Sequence, residues 1–180
     1  MKSLLPRLSL IMVLLLGWGL LATAQSFVYE ENANNQGFKI QNSSKSLVKI
    51  QHAVHSFDLL DVQVQGEAMK QLIYGMSLVP ATEGTPDVRG EARYVLIPNG
   101  AQVKLNILSE DKVVNENVNL APAAAIPFDT KPALPPVKGT AYQKDIFFPG
   151  EIAQATTTNI RGMTMAVVNI NPFQYNPVTK

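Results

Sequence analysis

The chain has 180 residues, no cysteine, fifteen Lys and Arg against fourteen Asp and Glu, and a formal net charge of +1. Zero cysteine excludes disulfide stapling, a thiolate nucleophile and a thiolate metal site. The balanced charge leaves no electrostatic footprint for nucleic acid and no basic amphipathic face to hold the chain on a membrane.

The N-terminus sets the compartment. Lys2 and Arg7 make a short basic start. Leu8 to Leu21 then runs apolar, broken only by Ser9 and Gly17-Trp18-Gly19, and Ala22-Thr23-Ala24 offers a small-x-small cleavage site ahead of Gln25. Basic, apolar, then small is the order of a secretory signal peptide, assigned here to residues 1–24. The run is too short to span a bilayer, which needs roughly 20 residues. What remains carries thirteen bases and fourteen acids, net −1, on about 155 residues, enough for one domain with its own core.

Residues 25–46 are polar, with Asn32, Asn34, Asn35 and Asn42. They read as a loose lead-in with one edge strand. From Leu47 the pattern alternates: Val48, Ile50, His52 and Val54 share one phase, and Leu60, Val62 and Val64 resume it up to Gly66. Alternation with period two marks strands with one buried face. Met69 to Val79 is a further apolar run, closed by Pro80. Gly84, Pro86, Asp87 and Gly90 are turn chemistry.

Arg93 to Ile97 is a short strand run that meets Pro98-Asn99-Gly100. Val103, Leu105 and Ile107 then alternate cleanly with Gln102, Lys104 and Asn106. Asn-Gly suits a tight turn, so a hairpin is expected across it, with Pro98 marking an edge arm. Val113 to Leu120 reads as another strand. Ala121 to Lys138 holds Pro122, Pro127, Pro132, Pro135 and Pro136, which forbids helices and ladders and favours a stiff extended loop. Tyr142 to Ile152 carries a turn at Pro149-Gly150. Met163 to Ile170 is a last strand, apolar on both phases and expected to be buried on both sides. Many short strands and no long 3.6-residue pattern imply an all-β fold, a sandwich or an open barrel of antiparallel strands.

Four stretches are more specific than composition explains. They are Gly90 to Ala101 (GEARYVLIPNGA), Asn117 to Pro122 (NVNLAP), Lys144 to Ile152 (KDIFFPGEI) and Pro172 to Lys180 (PFQYNPVTK). In order and spacing they resemble the N-terminal prosegment of gingipain-like cysteine endopeptidases of Bacteroidetes, over residues 47–180. The resemblance implies an all-β prodomain that keeps an Arg- or Lys-specific peptidase latent during export and helps it fold, in cis or in trans. It implies type IX secretion, through the periplasm to the outer-membrane surface or the medium. The peptidase domain, with its catalytic histidine and cysteine, and a C-terminal secretion domain do not occur in these residues. Related chains continue past QYNPVTK into another strand, so this chain is expected to be truncated or a fragment.

No catalytic constellation is legible. Gly-x-Ser-x-Gly and phosphate-cradling motifs are missing, and no cofactor is called for. His52 and His55 point to opposite faces on a strand, and His52 shares the phase of Val48 and Val54, which reads as a half-buried, hydrogen-bonded histidine; no metal site is assigned. An inhibitory loop for a peptidase that prefers basic residues must offer one. Lys131 lies deep in the proline-rich stretch, and Pro132 behind it makes a bond that many peptidases resist. Lys138, beside Gly139, is the weaker choice. Tyr142 and Tyr175 are possible contacts with the peptidase, and Phe147 and Phe148 read as core. The competing reading is a stand-alone secreted β-sandwich that binds other molecules.

Overall fold

The computed structural model describes residues 23–29, 36–75, 80–126 and 134–180. Among the described residues eight strands form: β1 (Ala24–Val28), β2 (Gly37–Ser43), β3 (Val48–Ala53), β4 (Ser56–Val64), β5 (Glu67–Ile73), β6 (Glu91–Leu96), β7 (Ala153–Ile160) and β8 (Met163–Ile170), with a 3-10 turn at Thr140–Gln143. They pair as three antiparallel sheets, ordered β1-β4-β5, β2-β3 and β6-β8-β7. The fold is all-β.

Local chemistry sets the hairpins. Gln65 and Gly66 between β4 and β5 have φ of 51° and 84°, and Arg161 and Gly162 between β7 and β8 have 52° and 78°. Two successive positive φ values give the turn whose twist matches paired strands. Ser44 closes the β2–β3 turn: its N–H donates to the Leu47 carbonyl at 2.8 Å, and its Oγ accepts from the Leu47 N–H at 3.0 Å. The polar lead-in therefore contributes two strands, β1 and β2, not one.

The core is built where the β1-β4-β5 sheet meets the loops and the C-terminal run. Phe57, Leu59, Tyr74, Val88, Leu120 and Tyr175 are buried together, and Val64, Met69 and Ala121 form a second cluster. Phe27 stacks on Phe57 at 4.7 Å between centroids, and Phe173 meets both Phe57 and Tyr74 edge-on at 5.0 Å. These are the offset and T-shaped arrangements that aromatic quadrupoles favour.

Two of the matched motifs turn out to be one structural unit. The Phe148 N–H donates to the Tyr175 carbonyl at 2.9 Å and the Tyr175 N–H to the Phe148 carbonyl at 2.8 Å. Gln174 Nε2 donates to the Pro149 carbonyl at 2.8 Å. Asn176 donates to Asp145 at 2.8 Å and accepts from the Val178 N–H at 3.0 Å. KDIFFPGEI and PFQYNPVTK thus lie side by side, each satisfying the other's backbone.

Four sequence expectations need correcting. The Asn99-Gly100 turn exists, with Gly100 at φ 77°, but no hairpin spans it. β6 pairs with β8, from Glu91 opposite Ile170 to Leu96 opposite Met165, and neither Val103–Ile107 nor Val113–Leu120 is a strand beyond one bridge from Leu120 to Lys70. Pairing with β8 adds a strand to a sheet whose Ala166 and Val168 are buried, whereas a lone two-stranded hairpin gains little in water. β8 is buried on one face only: Ala166 and Val168 lie inside and Met163 is exposed. Phe147 is exposed instead of core.

Candidate functional site

The proline-rich stretch stands on two legs. On the first, Leu120 and Ala121 lie along β5. The Ala121 N–H donates to the Lys70 carbonyl and the Lys70 N–H to the Asn119 carbonyl, each at 2.7 Å. The Asp87 N–H donates to the Ala121 carbonyl at 2.9 Å, and the Ala123 N–H to the Thr85 carbonyl at 2.8 Å. Ala121 and Ala123 are buried, and Pro86 is fully buried beside Pro122. Proline at 122 is tolerated because its neighbours carry these bonds.

The second leg, Val137 to Gly139, returns to the same place. The Gly84 N–H donates to the Ala123 carbonyl at 3.0 Å, and the Gly84 carbonyl accepts from the Gly139 N–H at 2.8 Å. Lys138 reaches Glu67 at 2.6 Å and lies 5.4 Å from the centroid of the Tyr142 ring. Glu67 also accepts from Asn119 at 2.9 Å. The Lys138 bond first, then the Asn119 bond, hold the Glu67 carboxyl below its usual range. Tyr142 Oη donates to the Leu120 carbonyl at 2.8 Å, tying the legs again.

Lys131 and Pro132 fall among residues 127–133, outside the described residues. Lys138 is engaged by Glu67. Tyr142 is half-buried against both core clusters, and Tyr175 is buried, its Oη accepting from the Leu120 N–H at 3.3 Å. Burial is the main reason both phenols titrate above the ordinary range.

A second polar constellation, which the sequence does not announce, sits where the three sheets meet. Buried Glu91 of β6 faces three polar side chains. His52 Nε2 of β3 is 3.1 Å from Oε1, Arg93 is 3.8 Å from Oε2, and Tyr74 follows β5. Burial first, then Glu91, push the Tyr74 phenol far up. His52 meets Phe38 edge-on at 5.1 Å, and Arg93 covers the other ring contact of Phe38 at 4.9 Å. His52 is thus the half-buried, hydrogen-bonded histidine its phase indicated. Arg93 is a local neighbour of Glu91, but His52 lies 39 positions away along the chain, which is why the sequence gives no sign of the pair. Among the described residues no group of three His, Cys, Asp or Glu is placed to hold a metal, and no helix is long and apolar enough to cross a membrane.

An all-β domain with an anchored proline-rich loop and no cysteine supplies a surface, not a thiolate, and comparison with known proteins gives that surface its class: a propeptide domain of a cysteine peptidase. Residues 28–180 match the Propeptide_C25 family model. The chain belongs to that family.

Among curated relatives, gingipain R2 of Porphyromonas gingivalis is 28% identical over 153 residues, 83% of this chain and 21% of the relative. Gingipain R1 of the same species is 27% identical over 144 residues, 78% of this chain and 14% of the relative. The chain therefore spans about a fifth or less of the length of these relatives. Among solved structures, the complex of the pro- and mature domains of RgpB from Porphyromonas gingivalis aligns with a TM-score of 0.75 at 26% identity, covering 81% of this chain and 78% of that one. A structure on the zymogenic latency of gingipain K from the same species aligns with a TM-score of 0.71 at 20% identity, covering 87% and 90%, a likeness of fold.

Proposed function

We propose that this propeptide domain keeps a gingipain-like cysteine endopeptidase latent and assists its folding, in cis or in trans, by offering Lys131 to the peptidase cleft from the proline-rich loop. The observation that carries the reading is the anchoring of that loop on both legs at Gly84. A loop with its ends already fixed loses less entropy on docking than a free segment. Pro132 removes the N–H behind the Lys131 carbonyl, which suits a segment that binds without being cut. Lys138 is held by Glu67, which leaves Lys131 as the basic side chain of the stretch to be offered. Tyr142 and Tyr175 bear on the peptidase contact by fixing the loop's base. The leader at residues 1–24 directs export, so the parent protein is secreted or surface-bound, through the periplasm and a type IX route.

The test is direct. The purified chain is added to a gingipain peptidase domain and the inhibition constant is measured. Lys131→Ala should weaken inhibition at least about tenfold, the loss of one desolvated anchor. An unchanged constant overturns the assignment of Lys131, and no inhibition by the unaltered chain overturns the function.

A further inference from the structure

We infer that Asn99 is a site of self-modification: its side-chain amide is converted to aspartate and isoaspartate through a succinimide closed by the Gly100 nitrogen, and Thr164 assists the closure. The inference stands apart from the inhibitory reading above.

Asn99-Gly100 is the one Asn-Gly pair in the chain. The chemistry has the nitrogen that follows an asparagine attack that asparagine's own side-chain carbonyl, and the two reactants are already joined by the chain. A side chain on the following residue stands in the way, and glycine has none. Both residues are exposed, at the tip that follows β6. The Ala101 N–H donates to the Pro98 carbonyl at 3.1 Å, closing the turn, and Gly100 has φ 77°. Among the described residues the Gly100 N–H donates to no protein acceptor, so the nucleophile gives up no bond in order to react. A Cβ built on Gly100 would meet nothing within 4 Å, which leaves the turn room to rearrange.

Thr164 of β8 distinguishes this tip from the same dipeptide in a free chain. Its Oγ1 donates to Asn99 Oδ1 at 3.1 Å, and its carbonyl accepts from the Ile97 N–H at 3.1 Å. The hydroxyl therefore faces the oxygen that gains negative charge as the nitrogen adds to Cγ, where a fixed donor lowers the barrier. The Gly100 nitrogen loses its proton to hydroxide and the bond from nitrogen to Cγ forms. The side-chain bond from Cγ to nitrogen breaks, and the departing nitrogen takes a proton from water and leaves as ammonia. Water then opens the ring. Addition at Cγ gives aspartate; addition at the main-chain carbonyl carbon gives isoaspartate. Either product adds one negative charge. Isoaspartate also lengthens the main chain by one methylene, two residues beyond the Ile97–Thr164 bond that follows the β6–β8 ladder.

The test follows the purified chain in mildly alkaline buffer. Peptide mass mapping locates the converted residue, and an isoaspartyl methyltransferase assay counts isoaspartate. Asn99 should convert ahead of every other asparagine. Thr164→Val should slow it about three- to tenfold, the net worth of one hydrogen bond, while Thr164→Ser, which keeps the donor, should hold the original rate. In urea, where Thr164 no longer faces Asn99, all three chains should convert alike. No preferential conversion at Asn99 overturns the site. Conversion at Asn99 that Thr164→Val leaves unchanged or speeds up in the folded chain overturns the assistance. Should Thr164→Val fail to fold, Thr164→Ala takes its place against Thr164→Ser and must show the same slowing.

Discussion

Residues 163–170 and residues 103–114 carry the same signal and meet opposite fates. Both are rich in β-branched and other apolar side chains, on both phases in the first and alternating with polar ones over Val103 to Ile107 in the second. The first is β8, paired on both edges by β6 and β7, with Ala166 and Val168 buried. The second runs without a ladder, with Ile107, Leu108, Val113 and Val114 exposed, Leu108 and Val114 to 76% and 78%. Alternation reports that a segment fits a pleated surface. Whether it becomes a strand depends on a neighbour with open hydrogen-bonding groups and an apolar face to cover. β8 has two such neighbours; the 103–114 segment has none among the described residues.

Proline breaks the comparison hardest. Val167→Pro removes a ladder donor from a central strand and should destabilise the chain by at least about 3 kcal/mol. Ile107→Pro should change the urea midpoint by less than the equivalent of about 0.5 kcal/mol. A comparable loss from both would mean the second segment is laddered in solution. Next comes Glu91, which stands opposite Ile170 at the end of the β8 ladder. Glu91→Ala leaves His52 buried without its partner, at a cost of about 2–3 kcal/mol, read as a lower denaturation midpoint with all three sheets melting together. Truncation gives a smaller contrast. Val168→Ala should cost about 2 kcal/mol and Val114→Ala less than about 0.5 kcal/mol; a reversal of that order would place the core elsewhere.

The mildest test uses alkali. Tyr74, Tyr142 and Tyr175 have phenols raised by burial, so the folded chain keeps protons there that the unfolded chain releases from about pH 10. The unfolded state then binds fewer protons, and stability falls as pH rises. Residues 101–117 contain no tyrosine, and Tyr29 and Tyr94 are exposed while Tyr74 and Tyr175 are buried, so only the late part of the ultraviolet titration of phenolate reports the core. Its late component should coincide with unfolding; early ionisation of all five tyrosines would refute the packing.

Where the sequence was legible, the interactions are local. The bounds of β8, the alternation of β3 and β4, the turn at Gln65-Gly66 and the proline-rich stretch all follow from neighbours within a few positions. The hairpin at Asn99-Gly100 was misread because turn chemistry is local but strand choice is competitive, and β8 won β6 from some seventy positions away. The meeting of the two legs at Gly84 was hidden for the same reason. Gly84, Ala123 and Gly139 are ordinary residues in isolation, and only the closed backbone makes them a unit. Phe147 shows the limit of residue type as evidence: its neighbour Phe148 is half-buried, and an extended chain turns the two in opposite directions.

The stretch from Lys104 to Asn117 also bears on how the protein behaves in a crowd. Its unladdered backbone and wet apolar side chains are a template to which another polypeptide's strand can add, the usual opening step of edge-to-edge aggregation. Lys104, Glu110, Asp111, Lys112 and Glu116 are set along it, and each must lose water if strands stack there. They serve as gatekeepers: the same stretch that fails to find a partner inside the fold is written so that it does not find the wrong one outside.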